Sequence, residues 1–183
     1  MAAAEPEQAE DVVALAWQQE IAEAILAAGV DAVPYVPDAR LRGIVAALET
    51  EPQPLVRALV REEECVAYAA GYVAAGGRAV VLMQCSGLGN SLNALASLAI
   101  PYRLGIPLVL SMRGTLGERN PSQVPMGRAT VQLLGALGIQ SFSLADAGRA
   151  RTVVDGVLEL AFSTGAPAAV ILEPELGGQR ESG

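Results

Sequence analysis

The stretch AVVLMQCSGLGN, residues 79–90, decides the fold class of this chain. Its first five residues are all apolar, which favours a strand that is buried on both faces of a sheet. Residues 86–89 then predict a glycine-rich loop, and apolar spacing predicts a helix over residues 90–100. A buried strand that leads directly into a helix is the repeating unit of a parallel sheet.

The same alternation runs along the whole chain. Helices are predicted over residues 12–28, 38–49, 62–75, 90–100, 128–137 and 147–163, with Asp38 capping the second of them. Strands are predicted over residues 31–37, 55–60, 79–83, 106–112, 141–144 and 168–172. This order predicts an α/β fold, an open parallel six-stranded sheet with helices on both faces. We expect one domain over residues 12–173, between a flexible segment, 1–11, and a tail, 174–183.

The charged residues exclude several classes of function. All 12 basic residues are arginines and there is no histidine, so the chain cannot build a Ser-His-Asp triad or a Schiff-base lysine. A net charge of −8 argues against nucleic acid and anionic membrane surfaces as partners.

Cys65 and Cys85 lack zinc-ligand spacing, and we find no metal-ligand set. Free cysteines, no secretory signal and no apolar run of about 20 residues predict a soluble, cytoplasmic protein.

Ligands of such sheets bind where the strands end, so polar residues at those points are the candidates for a site. The acidic run at Glu62, Glu63 and Glu64 follows a predicted strand. A solvated helix start explains such a run, because the helix dipole favours acidic residues there. In a second interpretation, one glutamate points into an apolar cleft and shares a proton with a ligand nitrogen.

The glycine loop and the long polar stretch over residues 113–127 are also candidates. The loop is a poor dinucleotide fingerprint, because Leu92 stands where the third glycine belongs, and without lysine it is no P-loop. Its glycines allow a tight turn or a close backbone approach to a flat ring or a partner chain. In the polar stretch, Arg113 suits a carboxylate, sulfonate or phosphonate, unless it is simply a surface arginine. With no histidine to activate it, Cys85 is expected to be a packed, small residue.

Three segments together resemble the pyrimidine-binding domain of thiamine-diphosphate-dependent 2-oxoacid decarboxylases. Glu62 is followed nine residues later by Gly71-Tyr72, as in the glutamate–helix–Gly-Tyr pattern of that family. Residues 83–90, MQCSGLGN, resemble the MQNSGLGN of the phosphonopyruvate and sulfopyruvate decarboxylase group. Residues 123–130, QVPMGRAT, also resemble that group, particularly its alpha subunits.

The resemblance implies a thiamine-diphosphate-binding fold and a set of site residues. Glu62 is the implied catalytic residue, whose carboxyl hydrogen-bonds the pyrimidine ring of the cofactor. The implied cofactor-binding residues lie in and around the glycine loop: Gln84, Ser86, Gly87, Leu88, Gly89 and Asn90. Weaker candidates for contact with a small 2-oxoacid substrate are Arg113, Gln123, Tyr35 and Asp38.

Departures from the family pattern bear on the substrate and on the partner. Cys85 replaces an asparagine, and Val124 replaces a histidine of phosphonopyruvate decarboxylases, which favours sulfopyruvate. The Gly-Asp-Gly motif that holds Mg²⁺ and the diphosphate is missing, and its nearest likeness, Val154-Asp155-Gly156, lies in a predicted helix. The resemblance therefore implies a separate beta subunit that binds both groups, in an α₂β₂ or larger assembly. A Rossmann-like nucleotide-binding module and a non-catalytic partner subunit are competing interpretations.

Overall fold

The sheet is built from six parallel strands. The computed structural model describes residues 15–176. The strands are β1 (Ala32–Tyr35), β2 (Leu55–Ala58), β3 (Val81–Gln84), β4 (Pro107–Ser111), β5 (Gln140–Leu144) and β6 (Ala168–Leu172). They lie side by side in the order β2-β1-β3-β4-β6-β5, and every neighbouring pair is parallel. The predicted α/β fold is confirmed.

Six α-helices cover the two faces of the sheet. They are α1 (Ala16–Ala27), α2 (Arg42–Glu49), α3 (Glu62–Ala74), α4 (Gly87–Ala94), α5 (Val124–Ala136) and α6 (Ala150–Thr164). One core lies between the sheet and α1, α2 and α6, and the other lies under α3, α4 and α5. Successive residues of β3 alternate between the cores: Leu82 packs on the α1 side, whereas Val81 and Met83 pack on the α3 side. This strand is therefore buried on both faces, as its composition predicts.

The predicted glycine loop is wrong, because residues 87–89 already form the first turn of α4. The backbone of Ser86 is helical, and the amides of Leu88 and Gly89 bond back to the carbonyls of Cys85 and Ser86. The helix then continues through a π-helical turn, Leu95–Ala99. The glycines allow a helix to start here in a crowded position, which residue preferences alone do not reveal.

The cap predicted at Asp38 is also wrong. Helix α2 begins at Arg42, and its N-cap residue, Leu41, makes no side-chain cap. The Asp38 carboxylate instead accepts the backbone N–H of Arg40 at 3.0 Å, which closes a turn before the helix. Its remaining bonds reach across the sheet edge, so tertiary contacts prevail over local capping.

The folded region differs from the predicted boundaries at two further points. Helix α5 begins at Val124, four residues before the predicted start, and follows a 3₁₀ turn at Pro121–Gln123. Leu176, in the predicted tail, is buried in the α1-side core. The predicted segment 1–11 and residues 177–183 of the tail lie outside the described residues. Within residues 15–176, no helix is long and apolar enough to cross a membrane.

Candidate functional site

The site lies where the strand order changes direction. After β1 the chain moves to β2 on one side, and after β3 it moves to β4 on the opposite side. The segments that follow β1 and β3 therefore diverge and leave a crevice between them. The ends of β1, β2, β3 and β4, with the segments that follow them, carry every residue that the sequence predicts for the site.

Of the three glutamates, Glu62 is the one whose side chain turns towards the first turn of α4. It is the first residue of α3, and its Oε2 accepts a hydrogen bond from Asn90 Nδ2 at 3.1 Å. Glu63 instead pairs with Arg61 at 2.9 Å, and Glu64 accepts the backbone N–H of Arg61. Glu62 is half-buried, and its Oε1 has no hydrogen-bond partner among residues 15–176.

Gly87 makes room for the Glu62 side chain. A Cβ at this position would overlap the Cγ of Glu62 and would lie only 2.6 Å from its Oε1. Any larger residue would therefore push the carboxylate away from the first turn of α4. Leu88, the next residue, is fully buried in the α3-side core.

A polar network joins the ends of β1, β3 and β4. The Asp38 carboxylate accepts hydrogen bonds from Ser111 Oγ at 3.0 Å and from Gln84 Nε2 at 3.3 Å. Gln84 Oε1 in turn accepts the hydroxyl of Ser86 at 2.6 Å. Asp38 and Tyr35 also line a cleft of about 400 Å³ between the end of β1 and α2.

The loop after β4 is organised by Glu118. Its carboxylate binds the Arg113 guanidinium at two points, 2.8 and 2.9 Å, and accepts the backbone N–H groups of Gly114, Arg119 and Asn120. The guanidinium and the amides of Asn120 and Gly114 hold the pKa of Glu118 well below its usual range. Arg113 is thus already engaged by a carboxylate within its own loop.

Close backbone packing ties this loop to the start of α5. A Cβ on Gly127 would collide with the carbonyl of Arg113, and one on Gly114 would collide with that of Gln123. Gln123 therefore lies beside the Arg113 segment, with its side-chain Oε1 buried and without a hydrogen-bond partner in the described part of the chain. Cys85 links the loop to β3, since its buried Sγ accepts the backbone N–H of Arg113 at 3.3 Å.

The predicted residues thus fall into three groups along one edge. Glu62, Gly87 and Asn90 meet, Asp38 joins Gln84 and Ser86, and Arg113 lies beside Gln123. Sequence reasoning missed Ser111 and Glu118, which fix the second and third groups. Ser111 carries a usable signal, because a polar residue ends an otherwise apolar strand. Glu118 carries none, since its role depends on the path of the loop.

Most of the elements that form this site belong to a region that matches a known protein family. Residues 16–120 match the family described as the thiamine pyrophosphate enzyme, N-terminal TPP binding domain. This chain belongs to that family. The matched region runs from the start of α1 through β4 into the following loop, so it includes Asp38, Glu62, Asn90 and Arg113.

Several named proteins are similar to most of this chain. The sulfopyruvate decarboxylase subunit alpha of Methanothermobacter thermautotrophicus is 38% identical over 146 residues, 80% of this chain and 88% of that subunit. The subunit of the same name from Methanococcus maripaludis is 35% identical over 155 residues, 85% of this chain and 93% of its own length. Among solved structures, a 2-oxoglutarate:ferredoxin oxidoreductase from Magnetococcus marinus has the same fold, with a TM-score of 0.64 and 15% identity, over 94% of this chain and 31% of that one.

Proposed function

We propose that this chain is the alpha subunit of a two-subunit, thiamine-diphosphate-dependent decarboxylase. Its substrate is a 3-substituted 2-oxoacid, sulfopyruvate, which it converts to sulfoacetaldehyde and CO₂. The observation that carries the proposal is the contact of Glu62 with the first turn of α4, through Asn90 and over Gly87. This contact lies within the matched thiamine pyrophosphate enzyme region, and the named alpha subunits support the assignment.

The residues present fit the pyrimidine end of the cofactor. When bound, thiamine diphosphate supplies a nucleophilic carbon and takes up the electron pair left by departing CO₂. Glu62 Oε1 is the acceptor that would share a proton with a ring nitrogen, while Asn90 holds Oε2. A half-buried carboxylate fixed in this way keeps one orientation, which is what proton exchange with a bound ring requires. Gln84, Ser86 and the backbone of residues 87–89 would line the same end of the crevice.

A second chain completes the proposed site. The sequence has no Gly-Asp-Gly motif, and Asp155, in the nearest likeness, lies within α6 and pairs with Arg151. Magnesium requires several oxygen ligands in octahedral geometry. A diphosphate-binding beta subunit supplies them, in a cytoplasmic α₂β₂ or larger assembly. The designation of the relatives as "subunit alpha" supports such a partner.

Sulfopyruvate is favoured over phosphonopyruvate by Val124, which stands where phosphonopyruvate decarboxylases tend to carry histidine.

Two further interpretations fit the site less well. A nucleotide-binding module would need the glycine backbone free for phosphate, whereas Gly87 is covered by the Glu62 side chain. A non-catalytic subunit would have no need to keep a glutamate oriented by Asn90.

Reconstitution tests the proposal. This chain is combined with its candidate beta subunit, thiamine diphosphate and Mg²⁺, and CO₂ release is measured with sulfopyruvate and with phosphonopyruvate. We expect turnover of sulfopyruvate by the mixture and by neither chain alone. Faster turnover of phosphonopyruvate would reassign the substrate, and no turnover of either acid by a stable complex would contradict the proposed function.

A further inference from the structure

The cleft beside the Asp38 network is lined by both apolar and charged residues. It has a volume of about 400 Å³ and opens between the end of β1 and α2. Its lining consists of Tyr35, Pro37, Asp38, Ala39, Arg42 and Val45. It therefore combines apolar walls with one phenol, one carboxylate and one guanidinium, the mixture typical of a small-ligand site.

Arg42 differs from three other arginines near this edge of the sheet, which all have partners. Arg40 donates to the carbonyls of Glu173, Pro174 and Leu176. Arg113 is held by Glu118, and Arg61 pairs with Glu63. The side chain of Arg42 has neither an ion pair nor a hydrogen bond to any residue in 15–176, and Arg42 lines the cleft.

The charge of Asp38 does not prevent an anion from entering the cleft. Its Oδ1 already accepts Ser111 Oγ and the backbone N–H of Arg40, and its Oδ2 accepts Gln84 Nε2. Three neutral donors thus stabilise the carboxylate and fix its orientation. The same bonds join the cleft to Gln84 and Ser86, which precede α4 and border the proposed cofactor end of the crevice.

Tyr35 adds a neutral donor. Burial, together with nearby Glu49, raises the pKa of its hydroxyl, so the phenol stays protonated at neutral pH. A protonated hydroxyl can donate a hydrogen bond to an oxyanion without adding charge. The cleft therefore has two potential donors for an anion, Tyr35 and Arg42.

We propose that Arg42 and Tyr35 bind the sulfonate of the substrate and determine specificity for a 2-oxoacid with an anionic 3-substituent. This inference rests on the proposed function. The substrate carries two anionic groups, but its carboxylate leaves as CO₂, and only the sulfonate is common to substrate and product. A guanidinium with no partner among residues 15–176, whose forked donors match an oxyanion, suits a group that stays charged throughout the reaction.

The test uses the reconstituted complex with thiamine diphosphate and Mg²⁺. We compare wild type with Arg42→Gln and Arg42→Lys, measuring kcat/KM for sulfopyruvate and for pyruvate, which lacks the sulfonate. Binding of 3-sulfopropanoate, which cannot be decarboxylated, is measured by calorimetry. Arg149→Gln is the matched control, because Arg149 is also exposed and without a side-chain partner in the described chain but lies beyond β5, at the far edge of the sheet.

We expect Arg42→Gln to lower the sulfopyruvate-to-pyruvate ratio of kcat/KM by roughly 10- to 100-fold, the loss typical of one charge-assisted hydrogen-bonding group. Arg42→Lys should lose less, because it keeps the charge without the fork, and Arg149→Gln should keep the ratio. Affinity for 3-sulfopropanoate should fall with Arg42→Gln. An equal loss on both acids, or no loss, would overturn the inference.

A different result would count against the proposed function. If wild type decarboxylates no sulfopyruvate, the assigned reaction fails, and 3-sulfopropanoate binding then decides the role of Arg42 by itself. Weaker binding by Arg42→Gln would support an anion site in the cleft. Equal binding by wild type and Arg42→Gln would overturn it.

Discussion

At the scale of single residues, position rather than residue type distinguishes the three glutamates at the start of α3. All three lie in the first helical turn, where the dipole favours a negative charge. Only the direction of each side chain separates them, since Glu63 turns to Arg61 whereas Glu62 turns to Asn90. A neighbouring glutamate is consequently a well-matched control for the proposed catalytic one.

Replacing Glu62 with glutamine should remove most of the decarboxylase activity of the reconstituted complex. The amide keeps the size of the side chain and can still contact Asn90, but it cannot exchange a proton with the cofactor ring. We expect kcat to fall roughly 100-fold or more, the usual range for a lost acid–base group. CO₂ release measures the effect, and size-exclusion chromatography checks that the complex assembles.

Glu63→Gln provides the comparison, because the Glu63 carboxylate pairs with the exposed Arg61 and not with the asparagine of α4. This variant should retain wild-type turnover. Similar losses in both variants would mean that the acidic run acts through its total charge, and near-normal turnover by Glu62→Gln would remove Glu62 from the mechanism.

At the scale of elements, the start of α5 packs closely against the backbone of the loop that follows β4. The Cα of Gly127 faces the carbonyl of Arg113, and no side chain fits between them. Gly127→Ala should therefore lower the free energy of unfolding by about 1–3 kcal/mol, as overpacking usually does. Urea denaturation measures the change.

A second helical glycine supplies the control for this prediction. Gly156 lies within α6, is exposed, and would place a Cβ in open space. Gly156→Ala should raise the free energy of unfolding by about 0.5–1 kcal/mol, because alanine loses less backbone entropy in a helix. Opposite signs for the two substitutions are expected, and equal signs would contradict the packing at α5.

The loop between β4 and α5 should show a pH-dependent stability that originates from Glu118. The folded chain holds the pKa of this carboxyl below its ordinary value of 4.5. The bonds of the ionised Glu118 carboxylate stabilise the folded chain in full at pH values above 4.5. This stabilisation is lost as the pH falls below 4.5 towards the lower pKa that the carboxyl has in the folded chain. The stability difference between wild type and Glu118→Gln, from urea denaturation, should therefore be larger at about pH 7 than at about pH 3.

The same loop shows where sequence interpretation reaches its limit. The sequence pattern located all six strands, of which the four central ones are mostly buried and the edge strands β2 and β5 are mostly exposed, and it located every helix to within a few residues. It missed the early starts of α4 and α5, since glycines there serve tertiary packing that a sequence does not display. For the site, spacing in a familiar motif pointed to Glu62, whereas the bonds of Ser111 and Glu118 needed the fold.

At the scale of the whole molecule, Arg40 connects the segment after the first strand of the chain, β1, with the segment after the last strand, β6. It follows β1, yet its guanidinium donates to three carbonyls after β6, which holds Leu176 in the core. Arg40→Ala leaves those acceptors without a donor and should lower the free energy of unfolding by about 2 kcal/mol or more. Thermal and urea denaturation of the isolated chain measure it.

Arg42 is the natural control for Arg40, two residues along and without a partner among residues 15–176. Arg42→Ala should change stability by less than about 0.5 kcal/mol, as expected for an exposed side chain with no bonds to lose. If both substitutions destabilise the chain equally, the carbonyl contacts of Arg40 contribute nothing specific.

The reactivity of the two buried cysteines can be used to measure how often the core around them opens. Cys65 and Cys85 are fully buried in the core under α3, α4 and α5, and burial, with Glu62 and Glu64 nearby, raises the pKa of Cys65 to about 12. Burial also raises the pKa of Cys85. Alkylation by iodoacetamide must therefore wait for this layer to open. Because the sequence has no lysine, mass spectrometry of the labelled chain would record those openings at each thiol with little competing amine chemistry.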